Sequence, residues 1–239
     1  MREAILQTSI EPAKVFLIPI GVNLDFFPLG SAETKIAARQ KLNIPQSAFV
    51  IGSFQKDGVG WGEGLEPKLV KGPDVFLASI KELKAQIPEL YVLLSGPARG
   101  YMKAGLDAMQ VPYSHFYLDS YPQIGELFKA LDLYLVTARQ EGGPKAILES
   151  MASGVPIIST RVGQATDLIQ HGQNGWLVEV EDSLEIASWA VRVRDLDQST
   201  LAAHILRGRA TAETNSYTAQ LPLWEKFMEG FVAWEKSNP

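Results

Sequence analysis

A chain of 239 residues, 46% apolar and 21% charged, is long enough for one large domain or two small ones and too apolar for a disordered state. Its net charge of -5 gives no electrostatic case for nucleic acid or an anionic membrane surface, so any anionic ligand must be held locally. The absence of cysteine excludes disulfides, thiolate metal sites and a cysteine nucleophile, and the three scattered histidines (His115, His171 and His204) offer no ligand cluster, so no metal site is expected.

The N-terminus lacks the apolar core of a signal peptide, and no run reaches the roughly 20 apolar residues of a membrane span. The expectation is a soluble, cytoplasmic protein. In chain order, a first strand is expected at 15–20 (VFLIPI), then a helix opening on the capping residue Ser31, then a strand at 49–54 (FVIGSF). A long glycine-rich stretch with Trp61 occupies 55–73 and leads into a helix with Pro73 near its first turn and Val75, Phe76, Ile80 and Leu83 on one face. Further strands follow at 90–96, 131–137, 155–160 and 175–180, with helical spacing at 121–131, 144–153, 165–172 and 183–196. Most strands are continuous apolar runs, as expected where both faces are covered. The alternation implies an α/β fold, a doubly wound parallel sheet whose ligands bind outside the carboxyl ends of the strands. The final segment carries Trp224, Phe227, Phe231 and Trp234 on one helical stripe.

Chemistry concentrates in "EGGPKAILES", residues 141–150. A strand ends near Thr137, a loop carries Glu141, and Pro144 is expected in the first turn of a helix that holds Glu149 about a turn and a half inside. Gly142 and Gly143 let a ligand approach the backbone, and the free N–H groups of a helix start favour phosphate. Ionised carboxylates only accept hydrogen bonds and suit a polyhydroxylated ligand, so a sugar-phosphate compound meets all these demands. On local chemistry alone the alternative stays open: an ordinary loop, with Glu141 near a helix dipole and Glu149 on a solvated face.

The segment 141–160 resembles the E-x7-E signature of retaining GT-B glycosyltransferases, glycosyltransferase family 4 (group 1), with Glu141 and Glu149 as its glutamates. "VFLIPIGVNLDFFP", "IGSF…KGPDVFLASIKEL" and "RVGQATDLIQHGQNGWLV" are similar to other blocks of that family in the same order, covering roughly residues 15–195. The resemblance implies a Rossmann-like half of a GT-B enzyme that binds a UDP-, GDP- or ADP-linked sugar as donor substrate, transfers the sugar with retention, and needs neither metal nor cofactor. It implies that Glu141 contacts the transferred sugar, Glu149 the ribose, and Gly142 and Gly143 the diphosphate, with Pro144 and Lys145 in the same donor site. Lys71, in the Lys-Gly of "VKGPD", is implied as the cation on the leaving diphosphate. The Gly-Arg of the family is Gly52-Ser53 here; that pair is assigned to the donor site and the second cation to Lys56. The 58–67 loop is an insertion, read either as a lid carrying Trp61 or as an exposed loop, and Arg99 is expected to be solvated.

The implied organisation is an interdomain linker remnant at 1–14, a nucleotide-sugar-binding domain at 15–215, and a C-terminal helix at 216–239 suited to crossing to an absent N-terminal acceptor domain. The fragment alone is then not expected to transfer sugar, and the full-length enzyme could lie peripherally on a membrane. The alternatives are a binding module inactive without its acceptor domain and a GT-B-type epimerase.

Overall fold

In the computed structural model, which describes residues 2–229, the elements run α1 (Arg2–Leu6), α2 (Ala32–Lys41), β1 (Phe49–Phe54), α3 (Pro73–Lys84), β2 (Leu90–Ser95), α4 (Gly100–Met109), β3 (Tyr113–Phe116), α5 (Ile124–Phe128), β4 (Leu133–Val136), α6 (Ala146–Ser153), β5 (Ile157–Thr160), α7 (Ala165–Leu168), β6 (Trp176–Val178), α8 (Ser183–Arg194), α9 (Gln198–Thr214) and α10 (Tyr217–Met228). The six strands form one sheet, all neighbours parallel, in the order β3-β2-β1-β4-β5-β6. This is the doubly wound arrangement expected from the alternating pattern.

Each face of the sheet carries its own core. One gathers Phe27, Phe128, Tyr134, Ile147 and Leu148 under α2, α5 and α6; the other gathers Phe76, Ile80, Leu83, Met102, Leu106 and Ala190 under α3, α4 and α8. The apolar stripe of α3 is as read from sequence, and Ser31 caps α2 in a reciprocal box with Thr34. Asp182, Asp197 and Ser216 cap α8, α9 and α10, each side chain accepting an amide of the first turn.

One expectation fails. The run 15–20 is irregular, not a strand: Pro19 has no N–H to donate, Leu17 is exposed, and among the described residues the pairing nearby is a single bridge from Val22 to Ser216. β3, α4 and α9 have no counterpart among the elements expected from sequence. Of the aromatic stripe, Trp224 and Phe227 lie on α10, where Phe227 meets Phe16 edge-on, while Phe231 and Trp234 lie outside the described residues.

Candidate functional site

The crossover direction reverses between β1 and β4, and the loops leaving their carboxyl ends face one another across that switch point. From β1 the chain makes the long loop 55–72. The middle of this loop is pinned to the start of α4, where Gly100 and Tyr101 donate amides to the carbonyls of Glu63 and Gly64. The loop ends in a 3-10 turn, Leu69–Lys71, followed by Gly72 in the left-handed region at φ 66° and Pro73 at the helix start.

Gly72 is the contact that fixes this turn. A Cβ there would overlap the carbonyl oxygen of Thr137 at the end of β4, and Thr137 Oγ1 donates to the Gly72 carbonyl at 2.8 Å. The two loops are further stitched together by Arg139. Its amide and that of Gln140 donate to the Val70 carbonyl, and its guanidinium donates to the Leu69 carbonyl and forms a two-pronged bond to Asp74 at 2.8 and 2.6 Å, with Glu181 as a second acidic partner. Sequence reading did not single out Arg139. As a result Lys71 Nζ donates to Glu141 Oε1, joining the implied phosphate cation to the implied sugar carboxylate in one half-buried ion pair.

Beyond Glu141 the backbone turns against the loop after β5. Gly142 accepts the amide of Gln164 at 3.1 Å, and Gly163 lies so close that a Cβ would strike the carbonyls of Glu141 and Gly142. Gly142 faces open space. Among the described residues the amides of Gly142 and Gly143 donate to no protein acceptor. The helix starts later than expected: α6 begins at Ala146 with Lys145 at its N-cap, and Pro144 is buried in the loop ahead of it.

Glu149 is therefore one turn inside α6, and it is only 4% exposed, not on a solvated face. Burial raises its carboxyl above the ordinary range, against a hydrogen bond from Tyr121 and the nearby Lys145 ammonium, both of which favour the ionised form. The Tyr121 phenol is itself pushed up by burial and by Glu149. An open pocket of about 270 Å³ adjoins this pair beyond the ends of β2 and β3, lined by Gly96, Pro97, Tyr117, Asp119, Tyr121 and Ile124. Neither Tyr121 nor the pocket was visible in the sequence.

The structure places three further assigned residues or pairs and corrects one of them, the solvated Arg99. Gly52 and Ser53 are buried within β1; a Cβ at Gly52 would overlap Leu131, and Ser53 Oγ accepts from Arg99 at 3.1 Å. Arg99 is not solvated: it is 1% exposed, donates to the carbonyls of Ser53, Gln55 and Ser95, and lies 3.2 Å from the buried Asp57. Lys56 leaves the same strand end, but its ammonium stands over the ring of Trp61, 3.6 Å from the centroid, and Trp61 is 84% exposed.

The profile of the family described as "Glycosyl transferases group 1" matches residues 65–196. D-inositol 3-phosphate glycosyltransferase of Segniliparus rotundus is 26% identical over 94% of this chain and 47% of its own length. N-acetyl-alpha-D-glucosaminyl L-malate synthase of Bacillus anthracis is 39% identical over 32% of this chain and 20% of its own. The chain spans about half the length of the curated relatives it matches first. Among solved structures, Anabaena HepE in complex with UDP-glucose superposes with a TM-score of 0.77 at 20% identity, covering 96% of this chain and 60% of that one. The C-terminal domain of a group 1 glycosyl transferase, LpcC of Francisella tularensis, superposes with a TM-score of 0.65 at 21% identity over 81% of this chain and 97% of its own.

Proposed function

The chain belongs to the group 1 glycosyl transferases, and from that premise we propose that it is the donor-binding half of an enzyme that transfers a sugar from a nucleoside diphosphate, UDP in the first instance, with retention and without a metal. One observation carries the reading. Among the described residues the amides of Gly142 and Gly143 donate to no protein acceptor, and in the chain they directly follow Glu141, which is paired with Lys71, and precede the buried Glu149.

Each part then has a chemical task. Glu149 accepts from the ribose hydroxyls, the amides and the start of α6 hold the diphosphate, and Glu141 accepts from a hydroxyl of the sugar. Lys71 is shared between Glu141 and the β-phosphate. As the bond from the anomeric carbon to the diphosphate breaks, negative charge grows on the leaving oxygen, and these fixed donors stabilise that state more than the ground state. The acceptor hydroxyl forms the new bond on the same face and its proton passes to the departing phosphate. UDP as the nucleotide draws its support from the solved HepE complex, whose fold this chain shares.

The acceptor half is proposed to be the part by which the relatives exceed this chain. The exposed Leu17, Leu221 and Trp224 form apolar surface on the N-terminal segment and α10 that suits docking to it. Binding of donor with no transfer is then expected of this chain alone. Calorimetry with UDP, GDP and ADP tests the proposal: UDP is expected to bind, and no binding by any of the three removes the donor-site reading.

A further inference from the structure

We propose that Tyr121 is the positioning residue of the ribose site, holding Glu149 so that one carboxylate oxygen remains for the sugar hydroxyls, and that it thereby makes the site selective for ribonucleotides. This rests on the reading of Glu149 as the ribose carboxylate.

The Tyr121 hydroxyl donates to Glu149 Oε1, a residue 28 positions away in another element. Glu149 is fixed along a helix and almost wholly buried, so its remaining oxygen has little freedom once the first is held. The tyrosine is itself immobilised. It starts the 3-10 turn Tyr121–Gln123, whose Ser120 cap is closed by Gln123 Oε1 accepting the amides of Asp119 and Ser120. Its ring meets Phe26 and Phe27 edge-on at 6.3 and 6.0 Å, with the Lys145 ammonium 5.5 Å from its centroid. The same ring lines the 270 Å³ pocket beside Tyr117 and Ile124, so a base seated in the pocket and a ribose on Glu149 touch one rigid side chain.

A carboxylate held in this way can accept from two vicinal hydroxyls and from only one when the 2′ position is bare, leaving the buried acceptor less satisfied. Among the described residues, the ionisable groups facing Glu149 are Tyr121, Lys145 and Tyr134, with Tyr217 facing Tyr121 from α10. Removing the Tyr121 hydroxyl removes a bond that favours the ionised carboxylate.

The experiment is titration calorimetry of UDP and 2′-deoxy-UDP against the unmodified chain, Tyr121→Phe, Glu149→Gln and the double variant. The unmodified chain is expected to prefer UDP by roughly 10-fold, and Tyr121→Phe to lose most of that preference. In the Glu149→Gln background Tyr121→Phe should change the ratio no further, because its effect passes through the carboxylate. The acid limb of UDP-glucose binding should also move to higher pH in Tyr121→Phe. An unchanged ribose preference in Tyr121→Phe, or effects that simply add in the double variant, overturns the role of Tyr121. Failure of Glu149→Gln to weaken UDP would instead strike the ribose assignment. The double variant, which lacks the buried charge, supplies the answer if Tyr121→Phe alone does not fold.

Discussion

Lys71 and Glu141, 70 residues apart, form an ion pair at the mouth of the switch-point crevice. If Lys71 serves the diphosphate and Glu141 the sugar, their substitutions must separate by ligand. Lys71→Ala is expected to weaken both UDP and UDP-glucose by about 10- to 100-fold, the usual scale for a charge-assisted bond to phosphate. Glu141→Ala frees the ammonium, so UDP should bind as well as before or better while the gain from the glucose moiety disappears. Glu149→Ala should weaken UDP itself. Calorimetry with both ligands decides it, and equal losses on UDP and UDP-glucose in Glu141→Ala would refute the division.

Gly72 leads to a prediction about stability and about Lys71 at once. The residue is left-handed at φ 66° and a Cβ would overlap the Thr137 carbonyl, so neither conformational strain nor the collision can be avoided by a side-chain shift. Gly72→Ala is expected to cost more than about 1 kcal/mol, a fall of roughly 2–4 °C or more in Tm for a chain of this size. UDP binding should weaken as well, because the displaced turn carries Lys71. A melting curve and UDP titration that both match the unmodified chain would show that this approach does not matter.

What the sequence disclosed and what it hid follow from the range of the interactions involved. Strands β1, β2, β4, β5 and β6 are apolar runs because helices cover both faces, and such runs are visible residue by residue. β3 escaped because its residues Tyr113, Ser114, His115 and Phe116 are half-buried and mixed in character, whereas the other edge strand, β6, is buried throughout. α4 contains Gly100 and Gly105, and Gly105 is needed because Leu77 fills the space its side chain would take. α9 buries little beyond Gly208 and Ala212, so no apolar stripe announces it. At the site, Glu141 and Glu149 were legible because their spacing is local. Tyr121 and Arg139 were not, since each acquires its meaning from a partner 28 or 65 residues away.

Arg139 offers a test of how firmly the two loops must be joined. Its fork on Asp74 holds that carboxyl below the ordinary range, and no single lysine ammonium can reproduce two parallel bonds plus one to Leu69. Because the pair is partly solvated, Arg139→Lys is expected to cost only about 1 kcal/mol of stability. The larger expected effect is on UDP affinity, through a looser Leu69–Lys71 turn. Thermal melts set against UDP titrations separate the two, and unaltered affinity in a destabilised Arg139→Lys would confine the residue to a folding role.

The buried Asp57–Arg99 pair makes stability depend on pH in the direction opposite to a surface carboxylate. Asp57 is fully buried, and although Arg99 Nε lies 3.2 Å away, neither carboxylate oxygen has a well-formed hydrogen bond among the described residues. Burial therefore outweighs the attraction and pushes the carboxyl up to about 6. The native chain then holds this proton more tightly than the unfolded chain, so between about pH 4 and 6 raising the pH removes stability, on the order of 3 kcal/mol from this group. Glu149, also raised by burial, acts in the same sense. The protonated state is tolerable because Arg99 keeps the carbonyls of Ser53, Gln55 and Ser95. Asp57→Asn is expected to remove much of this slope, which urea unfolding at pH 5 and pH 7.5 measures directly. If the variant and the unmodified chain lose the same stability over that interval, Asp57 is ionised throughout and the pair is better satisfied than its geometry implies.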